Sequence, residues 1–207
     1  MKRHILSIGP LVLLAFLAFS TPSCNVIEND TTGASTIIID SLLSDGGAPY
    51  IESDVCVLKN GACTVATDAA KVTMRTVTLN PDQAGSFYHD ITIKHYTVEF
   101  VRPDGKKTQG VDVPYAFTGD LSVTVPVNGT ATFSFIIVPV RAKLEAPLTR
   151  LVGVQSEMTL QTRATVTFYG EDQAGKELQV QGQMTVSFAD YADKETKTES
   201  SSTTVRY

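Results

Sequence analysis

The sequence predicts an all-β protein: a single antiparallel β-sandwich of about seven to nine strands over residues 36–190, with a β-barrel as the alternative closure. Three observations lead there. First, Leu160, Thr162, Ala164, Val166 and Phe168 interleave with Gln161, Arg163, Thr165 and Thr167, and Leu178, Val180, Gly182, Met184, Val186 and Phe188 interleave with Gln179, Gln181, Gln183, Thr185 and Ser187. Successive strand side chains point to opposite faces, so each run has one face for a core and one for water. The gap between them, Glu171-Asp172-Gln173-Ala174-Gly175-Lys176, is rich in turn residues and makes the pair a hairpin. Second, turn signals separate short apolar runs at short intervals along the rest of the chain. Third, Val and Thr are abundant, which favours strands. A hairpin alone is marginal in water, so the rest of the chain must supply a second layer.

The 207 residues leave room for a leader plus one or two domains. Met1-Lys2-Arg3 is a basic start, and Ile5 to Phe19 is an apolar stretch interrupted by Gly9-Pro10. A spanning helix needs about 20 apolar residues, so this run fits the apolar part of a signal peptide over residues 1–23 instead. Ser20-Thr21-Pro22-Ser23 leads into Cys24. A basic start, an apolar run, a small residue and a Cys resemble a bacterial lipoprotein signal. Ser23 fits that pattern, while Thr21 stands where Leu is usual, three positions before the Cys. The resemblance covers residues 1–24. It implies that Cys24 becomes the first mature residue and carries acyl chains, with several chains giving a stable anchor. The rival reading is ordinary cleavage after Ser20 or Ser23, giving a soluble periplasmic or secreted protein. Asn25 follows the Cys. In lipoproteins of Gram-negative bacteria an Asp there tends to mark inner-membrane retention, so the resemblance leans towards the outer membrane.

Cysteine usage agrees with export. If Cys24 is acylated, Cys56 and Cys63 remain as an even pair in an oxidising compartment. The net charge is −5, and losing Lys2 and Arg3 leaves 15 basic against 22 acidic residues, or −7. Such a balance argues against a nucleic-acid surface, which needs clustered Lys and Arg. It argues equally against electrostatic binding to anionic lipid.

After the anchor, Asn25 to Ser35 is small and polar and reads as a flexible tether. Thr36 to Leu43 is a first strand, broken by Ser44-Asp45-Gly46-Gly47-Ala48-Pro49. Cys56 and Cys63 flank Asn60-Gly61, a tight-turn pair. A turn centred there sets Val65 opposite Cys56, so a Cys56–Cys63 disulfide is expected to need a shifted loop or bulge. A redox pair would show Cys-x-x-Cys and a zinc site would need further ligands, so the pair reads as structural. Val72, Met74, Val77 and Leu79 mark a strand from Lys71 to Leu79, ended by Asn80-Pro81-Asp82. From Tyr88 to Arg102, Ile91 and Ile93 are odd-numbered while Tyr96, Val98 and Phe100 are even. One inserted residue makes that change, which predicts a β-bulge near Lys94-His95. Pro103-Asp104-Gly105-Lys106 is a turn.

Val111 to Thr118, with Pro114, reads as an edge segment or loop. Leu121, Val123, Val125 and Val127 then alternate, and Asn128-Gly129 turns the chain into Ala131 to Val140, with Phe133, Phe135 and Ile137 on one face. Between Arg141 and Val154 the alternation stops. Leu144, Leu148 and Leu151 suggest a short helical connection with Pro147 in its first turn, the place where the chain crosses between sheets. Residues 191–207 form a polar tail.

Val125-Pro126-Val127-Asn128-Gly129-Thr130-Ala131-Thr132-Phe133 and Phe168-Tyr169-Gly170-Glu171-Asp172-Gln173-Ala174-Gly175 resemble features of immunoglobulin-like domains of the bacterial envelope. This second resemblance covers about residues 36–190. The Cys-Trp-Cys pattern of antibody domains is absent, since the chain has no Trp.

Chemistry is sparse. His89 and His95 lie six positions apart, too far along a regular strand to chelate one ion. Motifs for a nucleophilic serine, a phosphate-cradling loop, covalent haem and a zinc protease are all missing. Asp104, Asp112, Asp120, Glu171, Asp172, Asp190 and Asp193 are the carboxylates that loops would gather, as calcium sites do. Without the spacing of a calcium loop, they read as turn residues. The expectation is therefore a non-catalytic protein with no cofactor and no metal. It would be lipid-anchored in the cell envelope and serve as a binding or structural module for an envelope partner. The alternative is a small-ligand or glycan module, for which Tyr88, Tyr96, Phe100, Tyr115 and Phe117 would line an apolar cleft.

Overall fold

Alternation along the chain translates directly into two facing sheets. The computed structural model describes residues 35–59, 62–79, 85–154 and 158–191. The expectations for the leader, Cys24 and the tether, the Asn60-Gly61 and Asn80-Pro81-Asp82 turns, and the tail beyond Tyr191 lie outside these residues. Among the described residues, ten strands form: β1 (Ser35–Ser44), β2 (Tyr50–Asp54), β3 (Val57–Lys59), β4 (Ala62–Thr64), β5 (Asp68–Thr78), β6 (Ile91–Val101), β7 (Phe117–Val125), β8 (Thr130–Val138), β9 (Leu160–Asp172) and β10 (Glu177–Ala189). A three-stranded sheet, ordered β1-β5-β8, faces a five-stranded one, ordered β2-β10-β9-β6-β7, and β3 and β4 form a separate small hairpin. The protein is an all-β sandwich.

The β9–β10 hairpin forms in the expected register, from Glu177 opposite Glu171 to Phe188 opposite Leu160. Ala164, Val166, Phe168, Met184, Val186 and Phe188 are buried on its inner face. Phe168 is the centre of the core. Its ring meets Phe135 and Phe133 of the smaller sheet edge-on at 5.1 and 6.0 Å, and lies 6.0 Å from Tyr96. Edge-to-face contacts of this kind add about 0.5–1.5 kcal/mol beyond area burial.

The expected bulge is present. Both pairings of β6 shift register between Ile93 and His95. The shift keeps Ile91 and Ile93 on the core face and then brings Tyr96, Val98 and Phe100 to that same face. Glycine on the neighbouring strands makes room for it. A Cβ at Gly170 would lie 2.7 Å from the Thr92 carbonyl, and a Cβ at Gly119 would collide with the Tyr96 ring. The Tyr96 hydroxyl crosses between sheets and donates to the Ile136 carbonyl at 2.9 Å.

Three expectations are corrected. The sandwich is not antiparallel throughout, because β2 runs parallel to β10, with Tyr50 beside Thr185 and Asp54 beside Ala189. The turn after β1 is long enough to let the chain cross to the other sheet before pairing. The strand count exceeds seven to nine because the stretch around the cysteines yields three short strands. In β5 the inner face is Ala70, Val72, Met74 and Thr76, while Leu79 is exposed, since strict alternation from Met74 excludes Val77 and Leu79.

The crossover after β8 carries the chain between sheets, as expected. A single helical turn, α1 (Val140–Lys143), leads through the cis Ala146-Pro147 bond to a 3₁₀ turn, Leu148–Leu151, whose two leucines are buried. Leu144 is exposed instead of joining them. Lys143, only 2% exposed, is the structural surprise of this segment. Its ammonium lies 3.0 Å from Asp68 Oδ2 and donates to the Asp54 carbonyl at 2.7 Å. Ser53, fully buried, donates to the same Asp68 oxygen at 2.6 Å.

Register distinguishes the two ends of the sandwich. At the entry end are Ser35, Thr78, Ile91, the turn from Val125 to Thr130, and the β9–β10 turn. At the far end are Asp54, Asp68, Val101, Phe117, Val138 and Ala189. The 13 residues of β9 span the distance between them, about 43 Å at about 3.3 Å per residue.

Two stability measurements follow. Lys143→Met removes one partner of a buried pair, so it should cost about 3–5 kcal/mol in a urea titration, with part regained on adding Asp68→Asn. A midpoint equal to wild type would show that the ammonium holds nothing together. Burial also raises the Tyr96 phenol above its ordinary value of 10.0, and burial raises Tyr191 as well. A raised folded-state pKa means stability that is complete below pH 10 and declines as pH climbs past it, because the unfolded phenol ionises first. Tyr96→Phe should therefore cost about 1 kcal/mol at neutral pH, for the lost hydrogen bond, and flatten the alkaline decline. The decline should not vanish, since Tyr191 remains.

Candidate functional site

The strongest candidate for a site is a groove at the far end, between β7 and α1. β7 and β8 belong to different sheets and are joined by the turn at the entry end, so at the far end they part. β7 is the edge of the larger sheet and β8 the edge of the smaller. The opening holds about 570 Å³ and is lined by Tyr115, Ala116, Phe117, Pro139, Arg141, Ala142, Glu145 and Ala146. Its floor is mostly apolar. Pro139 caps β8 and starts α1 with extended backbone, φ −74° and ψ 154°. Phe117 packs edge-on to Tyr96 at 6.3 Å, which anchors that wall to the core. Tyr115 lies across Gly110, half exposed. At the rim, Arg141 Nε is 2.8 Å from Glu145 Oε1, one helical turn on, and the guanidinium stays largely in solvent. An exposed pair of this kind contributes little to stability, about 0.3–0.5 kcal/mol, so its charges remain available to a ligand.

Of the five aromatic residues expected to line a cleft, the structure brings Tyr115 and Phe117 to the groove. Tyr96 and Phe100 are core residues, and Tyr88 is exposed at the opposite end. Pro139, Arg141, Ala142 and Glu145 were not expected. Only the Arg141/Glu145 spacing of four positions could have drawn attention to them.

The histidines are held apart. His89 ends a 3₁₀ turn, where its Nδ1 accepts from the Ser86 backbone N–H at 3.1 Å. Beyond the bulge, His95 faces out of the sandwich and stacks on Tyr169 at 4.7 Å. The 3₁₀ turn takes His89 out of β6 and the bulge takes His95 off the Ile91/Ile93 face.

Five of the seven carboxylates serve the backbone or pair with cations. Asp104 pairs with Arg102 at 3.1 Å within its turn, and Asp112 accepts from the Thr108 N–H at 3.3 Å. Asp120 is exposed on β7. Glu171 pairs with Lys94 at 2.6 Å, and Asp172 accepts from the N–H groups of Ala174 and Lys176 at 2.9 Å each. Asp190 accepts from the Gly153 N–H. Asp193 lies outside the described residues. Among the described residues, no group of three or more His, Cys, Asp or Glu side chains is arranged to hold a metal ion.

Cys56 and Cys63 are bonded, with Cα atoms 5.3 Å apart. The expected shift in the hairpin is not needed. β3 and β4 pair in the regular register, Leu58 opposite Cys63, and Cys56 reaches Cys63 because it lies outside β3, in the bend after β2. Asp54 Oδ1 fixes that bend by accepting from the Cys56 N–H at 3.1 Å, and it also accepts from the Tyr191 N–H at 3.4 Å.

No family model matches this chain and no curated protein does. Among solved structures it is similar to the X-ray structure of Northeast Structural Genomics Consortium target SoR45, with 9% identity and a TM-score of 0.36, over 74% of this chain and 86% of that one. It is also similar to Spo0M, a sporulation control protein from Bacillus subtilis, with 11% identity and a TM-score of 0.29. That match covers 74% of this chain and 49% of the other, so it spans about half of Spo0M.

Cys63→Ser should lower stability by about 2–4 kcal/mol under oxidising conditions, through the lost constraint on the unfolded chain. Full reduction of the wild type should bring the two proteins to the same melting curve. An unchanged curve for oxidised Cys63→Ser would show that the bridge contributes nothing.

Proposed function

We propose that this chain is a non-catalytic protein of the cell envelope, held by acylated Cys24 to a membrane, with the outer membrane as its address. Its sandwich serves as a binding module for an envelope partner protein, which seats in the β7–α1 groove. The observation that carries this reading is the groove's position. It lies toward the far end of the sandwich, with Phe117 eight residues along β7 from Val125 at the end where Ser35 enters, about 26 Å at about 3.3 Å per strand residue. A module tethered through its N-terminus would therefore hold the groove away from the lipid. An apolar floor with a charged rim beside β7, an edge strand among the described residues, suits a protein segment, since the edge offers backbone hydrogen bonds and the groove a seat for side chains.

A small-ligand or glycan module is the second reading. The groove's volume favours it, because about 570 Å³ falls within the 300–1,000 Å³ or so of ordinary ligand pockets.

Crosslinked co-purification from native membranes separates the two. Wild type, Cys24→Ala and the groove variant Tyr115→Ala/Arg141→Glu would be compared. Both groove residues are exposed, so the sandwich should melt as wild type does. A defined protein recovered with wild type, and lost with either variant, is the expected result. Recovery of the same protein by the groove variant would remove the groove from the account. A glycan or small molecule captured in place of any protein would favour the second reading.

A further inference from the structure

The entry end carries a feature that the core does not explain. Phe87 is 66% exposed and Tyr88 55%, and their ring centroids are 4.1 Å apart. They do not sit on a loose loop. Ser86 caps their 3₁₀ turn, accepting from the Tyr88 N–H, while its own N–H donates to His89. The Tyr88 carbonyl accepts from the Gln173 N–H of the β9–β10 turn at 3.2 Å. Asp90, just after the turn, accepts from the Val127 N–H at 2.8 Å. The turn that carries the two exposed rings is thus fixed by its own cap and by two neighbouring segments.

Their place along the chain suggests what covers them. Ser35, the first described residue, donates through its hydroxyl to the His89 carbonyl at 3.0 Å, so the N-terminal segment enters the fold beside this turn. Ten residues, 25–34, separate it from Cys24. A chain of ten residues reaches at most about 36 Å. If Cys24 is in a membrane, the lipid surface is within reach of this turn. Two rings bury about 150–250 Å² each, which falls short of the roughly 800 Å² per partner of a standard protein interface. It is enough for shallow insertion, and a Phe with an amphipathic Tyr suits the interfacial zone of a bilayer.

We propose that the Phe87–Tyr88 pair is a second membrane contact, seating the entry end of the sandwich on the leaflet that holds its anchor. This rests on the lipid-anchored reading above. The contact needs no basic residues, because the tether supplies the local concentration, and it fixes the orientation that points the groove outward.

The chain lacks Trp, so a single Trp can report on each end. Full-length Phe87→Trp, and Tyr115→Trp as the far-end reference, would be placed in phosphatidylcholine–phosphatidylethanolamine vesicles with part of the lipid brominated on its acyl chains. Phe87→Trp should show blue-shifted emission quenched by the brominated lipid, while Tyr115→Trp should show neither effect. Equal behaviour of the two reporters in acylated protein would overturn the contact and leave the anchor standing. A blue shift at Phe87→Trp that rises with protein concentration without lipid would overturn it in favour of a second copy. Acylation of Cys24 is read separately by mass. An unacylated chain would sink the anchored reading, and the patch would then be tested by adding the same vesicles at rising lipid concentration. A lipid-dependent shift at position 87 alone would keep it, and no shift would end it.

Discussion

The arrangement at the far end depends on one buried ammonium. Burying a lysine costs several kcal/mol unless the charge is matched, and Lys143 is matched by elements from both sheets. Asp68 opens β5 of the smaller sheet, while Ser53 and Asp54 close β2 of the larger one. The contact holds α1 on one side of the crossover, and the other side of the same segment, at Arg141 and Ala142, borders the groove. Asp54 extends the contact further, since its carboxylate fixes the bend leading to the disulfide and receives the chain as it leaves β10. Core burial brings the sheets together. This polar joint determines how the crossover, the cysteine hairpin and the end of β10 are placed around them.

What could be read in the sequence was what depends on neighbours a few residues apart. The β9–β10 hairpin was legible because the runs Leu160–Phe168 and Leu178–Phe188 alternate without a break. The bulge was legible because Ile93 and Tyr96 cannot share a face of a regular strand. The crossover was legible because alternation stops after Val140. Partnership across the chain was not legible. Nothing local shows that Tyr50 to Asp54 would lie parallel beside β10, or that Lys143 would be enclosed, since a lysine in a short connection ordinarily faces water. The groove was half legible for the same reason. Tyr115 and Phe117 stood out as aromatics, but their opposite wall comes from a segment whose residues mark nothing by themselves. Phe87 and Tyr88 stood at the margin of an expected strand. A 3₁₀ turn capped by Ser86 takes them out of it, and their exposure is a property of three loops meeting.

The two ends of the sandwich differ in kind. The far end is irregular and carries the groove, the bridge and the buried charge. The entry end is a set of tight turns joined by backbone hydrogen bonds, with two aromatic rings standing out from it. A long axis defined by β9 and β10 keeps the two apart, so a contact at one end sets the direction in which the other end is presented.

The parallel pairing of β2 with β10 also bears on how the molecule comes to exist. Asp54 and Tyr191, joined by a hydrogen bond, are 137 positions apart, and the larger sheet keeps an open flank until they meet. Contacts between distant parts of a chain slow folding, because the loop between them must be closed before anything is gained. Here the last strand among the described residues is the one that receives one of the first. A chain still emerging has no β10 to offer. β2 is without its partner in the larger sheet until β10 is present, so that flank is the part of the sheet that closes late.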